Sequence, residues 1–230
     1  MAVINAYPYL IGTALNLDNN DCGTLIRLFE KPAVDINDIL GGRASVVKTQ
    51  LNTIGPVVIK YYRRGGMIRH LIRDTFLRSG KTRARREFEM YETVRALGIS
   101  CPEPLIWASR GSLFYKAYLV TREITQSRTL ADICLEDESR CSDAVQKTAD
   151  QIVLLIKNRI HHVDLHPGNV LIDGENQIYI IDFDKACVSP MKPNKLAAAY
   201  LKRWKKAVFK YQLPDFMNDI MEKIILSQCP

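Results

Sequence analysis

The sequence predicts an α+β fold: a small β-rich N-lobe over about residues 1–120 and a compact helical C-lobe over about 125–230, together one domain spanning 1–230. Three observations predict it. Runs of β-branched and aromatic residues punctuated by turn residues crowd the first half. Apolar residues at helical spacing dominate the second. No repeat, low-complexity tract or flexible linker interrupts the 230 residues, so the two halves read as lobes sharing a cleft.

Taken in order, the first third reads as strands and turns. Leu40–Gln50 runs from a glycine turn into a β-branched strand, Asn52–Pro56 is a turn, and Pro56–Tyr62 is a second strand, so the two form a hairpin closed off by Gly65-Gly66. Arg69–Leu77 reads as a short helix. Thr82–Gly98 is the clearest helix, with Phe88, Tyr91, Val94 and Leu97 at helical spacing and Gly98 as its C-terminal stop. Cys101–Pro104 breaks the chain, and Leu105–Ser109 and Leu113–Ile124 read as strands. Thr129–Glu138 and Ala144–Asn158 then read as helices, as do Asn194 to about Tyr211 and Pro214–Leu226.

Composition narrows the class. Hydrophobic residues make up 47% and charged residues 25%, enough to build a core, and no apolar run approaches the ~20 residues that span a bilayer. The N-terminus lacks a basic start and does not read as a signal peptide. Six cysteines form no CxxC pair, and the expectation is reduced, mostly buried thiols. The net charge of +7 is concentrated. Lys60–Arg86 holds ten basic residues against one acid, and Lys192–Lys210 holds seven against none. Such patches favour polyanions.

Three of the four histidines fall in His161–His166, ahead of Asp164, Asn169, Asp182 and Asp184. A zinc pair at His162 and His166 would need a helix, which Pro167-Gly168 excludes, and no GxSxG elbow supports a serine hydrolase. Phosphoryl transfer explains the spacing. It needs a carboxylate to orient and deprotonate a hydroxyl, hard oxygen ligands for Mg²⁺ and a cation on the nucleotide phosphates. His162-Val163-Asp164 leads to Asn169 five positions on, as in the kinase loop H-R-D-x-x-x-x-N. A hairpin around Gly174–Asn176 would return Asp182 beside Asn169. This makes Asp164 the base and Asn169 and Asp182 the metal ligands, with Asp184 for a second metal or an acceptor hydroxyl.

The remaining pieces are in order. Val57–Lys60 matches V-A-I-K on a strand, with Lys60 aimed at the phosphates. Gly41-Gly42 offers a phosphate-covering turn. Glu87, with Glu92 as runner-up and Glu89 also on that helix, would pair with Lys60. The backbone of Arg122, Glu123 and Ile124 would hydrogen-bond adenine. Trp204, amid lysines, fits either a membrane interface or a helix core.

On Leu40–Ala108 and His161–Ala186 the sequence resembles the bacterial lipopolysaccharide kinases, most closely those acting on 3-deoxy-D-manno-octulosonic acid (Kdo). Its Tyr-Arg-Arg-Gly-Gly and Thr-Arg-x-x-x-Glu elements are the more specific part of the likeness. The resemblance implies a protein-kinase-like bilobal fold, ATP and Mg²⁺. It also implies phosphate transfer to a Kdo hydroxyl of a lipid A precursor, by a cytoplasmic protein peripheral on the inner membrane and in contact with anionic lipid. Arg63, Arg64, Arg83, Arg85, Arg86 and His166 would meet that anionic, lipid-linked acceptor, and nucleic acid is not expected as a partner. Two other readings stay open: an atypical small protein kinase, and a non-catalytic kinase-like module binding anionic lipid or nucleic acid.

Overall fold

The computed structural model describes residues 2–30, 45–63, 74–138 and 141–229. The chain divides into two compact units, Met1–Glu89 with Glu103–Glu123, and Met90–Pro102 with Ile124–Pro230.

In the first unit, β1 (Ala2–Ala6) and β2 (Tyr9–Thr13) form an antiparallel hairpin and lead into helix α1 (Asn19–Glu30). The sequence reading of strands and turns missed this helix. Its signal is short: Asp21, Leu25 and Phe29 are the buried positions, one per turn, and Gly23 interrupts the propensity. Tertiary contacts hold it. Phe29 stacks on Tyr118 with ring centroids 4.4 Å apart, and burying Leu25 and Phe29 contributes roughly 1.5–3 kcal/mol each. Asp21 accepts the backbone N–H groups of Asn52 and Thr53 at 2.8 and 3.0 Å, tying α1 to the next turn.

That turn joins β3 (Ser45–Leu51) and β4 (Gly55–Tyr61), paired antiparallel from Ser45↔Tyr61 to Leu51↔Gly55. Gly41-Gly42 and Gly65-Gly66, at its expected ends, lie outside the described residues. The expected helix Arg69–Leu77 lies outside as far as residue 73. Its described end is instead strand β5 (Phe76–Leu77), paired with Tyr115 and Phe114, because Phe76 buries its ring 5.8 Å from that of Tyr115. Helix α2 (Arg83–Ala96) follows, then β6 (Pro104–Arg110) and β7 (Phe114–Arg122). The sheet order is β1-β2-β6-β7-β4-β3, with β5 also on β7. Val57, Ile59 and Tyr61 of β4 are buried with Leu25, Phe29 and Tyr118. The pleat therefore turns Lys60 to the opposite face.

The second unit begins inside α2. Gly98, at φ +82, lets the helix close with Ile99 N–H donating to Val94 O at 3.0 Å. Next come β8 (Arg128–Thr129), α3 (Leu130–Glu136) and α4 (Cys141–Lys157). Cys134 and Cys141 are paired as a disulfide between α3 and α4, Cα atoms 5.6 Å apart, which corrects the expectation of six reduced thiols. The short connection between the two helices brings the cysteines together, a proximity that spacing does not announce. Strand β9 (Ile160–His161) precedes a 3₁₀ turn at Pro167–Asn169 and the hairpin β10 (Val170–Ile172) and β11 (Ile178–Ile180), in register Val170↔Ile180. Strand β12 (Cys187–Val188) pairs with β9, and α5 (Pro193–Lys210) and α6 (Phe216–Gln228) end the chain. Trp204 is 1% exposed, so of its two readings the helix core is correct. Among the described residues no helix is long and apolar enough to cross a membrane.

Candidate active site

In the first unit, Lys60 Nζ lies 2.9 Å from both carboxylate oxygens of Glu87. Strand alternation puts Lys60 on the face opposite the β4 core. Glu87, one turn into α2, is fully buried. Tyr62 donates its hydroxyl to the same carboxylate, and Lys60 Nζ sits 5.1 Å from the Tyr62 ring centroid. Of the other glutamates on α2, Glu89 takes Lys81 and Arg85 at 2.8 and 3.1 Å, and Glu92 is exposed.

The adenine-binding expectation needs correction at two atoms. The N–H of Arg122 donates to Glu103 O at 2.9 Å and that of Glu123 to Pro56 O at 3.1 Å, so neither is free for a base. The sheet takes them because β7 is a central strand. Pro56 has no N–H with which to return the bond, and the Glu123 carbonyl is left without it. The Arg122 guanidinium pairs with Glu103 at 2.7 Å, and Glu123 pairs with Lys48 at 2.9 Å. In the second unit, Ile124 O accepts the Ser127 hydroxyl at 2.7 Å.

The expected acceptor-binding arginines are partly committed elsewhere. Arg83 lies 4.7 Å from the Phe76 ring centroid and 5.5 Å from that of Tyr62. Arg85 pairs with Glu89 and covers the Trp107 ring at 5.3 Å. Arg86 is exposed and Arg63 half-buried. Arg64, with Gly41 and Gly42, lies outside the described residues.

The second unit holds Asp164, Asn169 and Asp182. The Asn169 amide nitrogen donates to Asp164 O at 3.0 Å, closing the loop on itself. Its amide oxygen is thereby the end left for a cation. Beyond the β10–β11 hairpin, Ile181 N–H donates to Asn169 O at 3.0 Å, which fixes the strand leading to Asp182. Asp182 has φ +66, a left-handed conformation that costs an L-residue energy and concentrates at functional sites. Its N–H donates to Tyr91 Oη at 3.1 Å. An amide oxygen and a carboxylate so held suit a hard cation such as Mg²⁺. Among the described residues no group of three or more His, Cys, Asp or Glu gathers as a metal cluster. Asp184 is half-buried two residues beyond Asp182.

The histidines brace this loop. His162 is buried, its Nε2 bonds Ile181 O at 2.9 Å, and its ring meets Phe183 edge-on, as Phe183 meets Tyr91. Burial holds its pKa below the usual value. His166 Nδ1 accepts the Gly168 N–H at 3.1 Å and caps the 3₁₀ turn. Desolvation, then Arg203, lowers its pKa to about 4, so at neutral pH it offers an anion no positive charge.

Two contributors escaped the sequence reading. Arg203 of α5 donates to Asp164 Oδ1 through Nη2 at 2.6 Å and Nε at 3.0 Å. Tyr200, one turn earlier, accepts the His162 N–H and donates to Ile160 O, both at 2.8 Å. Within the basic run Lys192–Lys210 only helical phase separates Arg203 from its neighbours: it borders the buried stripe of Tyr200, Trp204 and Ala207.

The profile of the Lipopolysaccharide kinase (Kdo/WaaP) family matches residues 37–221. A 3-deoxy-D-manno-octulosonic acid kinase of Vibrio parahaemolyticus is 33% identical over 147 residues, 63% of this chain and 61% of that protein. One of Vibrio vulnificus is 34% identical over 155 residues, 65% of each, and one of Xylella fastidiosa is 29% identical over 151 residues, 64% of this chain and 59% of that protein. The match thus spans less than two thirds of these curated relatives. With the family profile covering most of its length, the chain belongs to the lipopolysaccharide kinase (Kdo/WaaP) family.

Proposed function

We propose that the chain is an ATP-dependent phosphotransferase whose acceptor is a sugar hydroxyl, that of Kdo on a lipid A precursor. The observation that carries this reading is the loop in which Asn169 Nδ2 bonds Asp164 O while Asn169 O receives Ile181 N–H. One pair of bonds sets a base candidate, an amide ligand and the approach to Asp182. The Kdo acceptor comes from the names of the relatives, and the fold is of the protein-kinase-like, bilobal kind.

In the reaction, Asp164 accepts the proton of the acceptor hydroxyl as its oxygen attacks the γ-phosphorus of ATP. The bond from that phosphorus to the β–γ bridging oxygen breaks, ADP leaves, and the proton passes from Asp164 to solvent. Lys60, oriented by Glu87, neutralises the nucleotide phosphates. The Glu123 carbonyl accepts from the adenine amino group. Asn169 and Asp182 would hold Mg²⁺, which screens phosphate charge when bound.

The lipid-linked acceptor places this chemistry at a membrane, with the protein peripheral on the cytoplasmic face. What supports this is the outer face of α5, where Lys195, Lys202, Lys206 and Lys210 are exposed around Phe209, 88% exposed. Basic residues near an anionic surface contribute ~1 kcal/mol each. The test is labelled ATP with purified protein and a panel of lipid A precursors with and without Kdo. Label is expected only in the Kdo-bearing lipids. No label in any of them, or Asp164→Ala as active as wild type, refutes the reading.

A further inference from the structure

An Arg opposite a carboxylate commonly engages both oxygens as a fork. Arg203 does not. Its Nη2 and Nε both donate to Oδ1 of Asp164, at 2.6 and 3.0 Å, and Oδ2 has no hydrogen-bond partner among the described residues. Asp164 keeps 45% of its side chain exposed, so Oδ2 has room for an incoming group. The main chain of Asp164 is fixed separately, through Asn169 Nδ2, which leaves Arg203 as the one hydrogen-bonding group among the described residues that sets the rotation of the carboxylate.

The position of Arg203 is itself determined. Trp204 is buried beside it, and Tyr200, three residues back and so on a neighbouring part of the same face, bonds both His162 N–H and Ile160 O. Helix α5 is thereby registered against the loop that carries Asp164, and the guanidinium arrives in a fixed place. We propose that Arg203 is a positioning residue that directs Oδ2 of Asp164 as the proton-accepting oxygen. Two charge-assisted donors on Oδ1 fix the plane of the carboxylate and hold one lone-pair direction of Oδ2 open toward the acceptor hydroxyl. A lysine, with a single nitrogen on a flexible stem, fixes no such plane. The inference rests on the assignment of Asp164 as base made above.

The experiment is steady-state kinetics with Mg-ATP and a Kdo-bearing lipid A precursor for wild type, Arg203→Gln, Arg203→Lys, Asp164→Asn and the double variant Asp164→Asn/Arg203→Gln. Arg203→Gln is expected to lower kcat by about 100-fold, the lower end of what a positioned base supplies, with KM for both substrates little changed. Arg203→Lys recovers little. Millimolar guanidinium restores part of kcat to Arg203→Gln and none to Asp164→Asn. In the Asp164→Asn background, Arg203→Gln has no further effect, as expected of residues acting as one unit.

Wild-type kcat in Arg203→Gln overturns the proposal. So does a loss confined to KM for the lipid, which makes Arg203 an acceptor contact, and so do additive losses in the double variant. If Arg203→Gln fails to fold, the Arg203→Lys arm decides: wild-type kcat in Arg203→Lys overturns the proposal. An active Asp164→Asn removes the base assignment itself. An inert Asp164→Asn beside a wild-type-like Arg203→Gln removes only the role of Arg203.

Discussion

Lys60 and Glu87 form a two-pronged pair, Nζ 2.9 Å from each carboxylate oxygen, with the Glu87 side chain fully buried and that of Lys60 16% exposed. A buried carboxylate that loses its cation is strongly destabilising, while replacing both partners by apolar residues often is not. Lys60→Met is therefore expected to cost about 3 kcal/mol, and Lys60→Met/Glu87→Met to recover most of it. With Lys60 in its proposed role on the nucleotide phosphates, neither variant is expected to keep turnover, with losses of at least ~100-fold. Urea unfolding beside ATP turnover checks both halves, and a double variant that regains activity would refute the phosphate role.

Tyr200→Phe removes one hydroxyl and strands two buried groups, the N–H of His162 and the carbonyl of Ile160. An unsatisfied buried polar group costs roughly 1–3 kcal/mol, so a loss in that range is expected by urea unfolding. Turnover should fall as well, because the same hydroxyl registers α5 against the catalytic loop. Unchanged unfolding would mean that the hydroxyl carries no weight.

His166 gives a pH signature. Its folded pKa is about 4, against about 6.5 in an unfolded chain. Between those values the unfolded state binds more protons, so the stability supplied by a neutral His166 is present above pH 6.5 and is lost as the pH falls toward 4. Asparagine also caps helical turns, so His166→Asn retains the acceptor for Gly168 N–H without titrating. Stability curves from pH 7 to pH 4 should fall less steeply for His166→Asn than for wild type, and parallel curves would contradict the shift.

Gly12 in β2 lies under the Trp107 ring, where a Cβ would overlap the indole. Trp107 is 1% exposed and cannot swing away, so Gly12→Ala should cost about 1–3 kcal/mol as an overpacked site. Thermal unfolding checks it, and a wild-type melting temperature would show that the indole can shift.

The outer face of α5 should bind anionic bilayers. Replacing Lys202, Lys206 and Lys210 by Gln removes three cations worth ~1 kcal/mol each near such a surface, and Phe209→Ala removes the exposed ring among them. In vesicle sedimentation, both variants should bind phosphatidylglycerol-containing vesicles more weakly than wild type, and the triple variant should show less salt sensitivity. Equal binding by all three proteins would place any membrane contact elsewhere.

The sequence by itself determined the parts whose signal is local. The β3–β4 hairpin, α2 with its Gly98 stop, the β10–β11 hairpin, α5 and α6 all carry periodicity or turn chemistry within a few residues. The approach of Asn169 to Asp164 and the return of the chain toward Asp182 were legible in the same way, since the spacing of a loop and a hairpin is written in the chain. Tertiary structure decided what depends on distant partners. Helix α1 forms because Phe29 finds Tyr118, and Phe76–Leu77 becomes a strand because β7 offers a pairing edge. Cys134 meets Cys141 because two helices are joined by a short connection. The amides of Arg122 and Glu123 go to the sheet because their strand has neighbours on both sides. Arg203 is the clearest case. Composition shows it as one cation among seven on a basic run, and only the packing of Tyr200 and Trp204 turns it onto Oδ1 of Asp164. Periodicity is a property of neighbours along the chain, whereas which of several like charges reaches a carboxylate is fixed by the rotation of a packed helix.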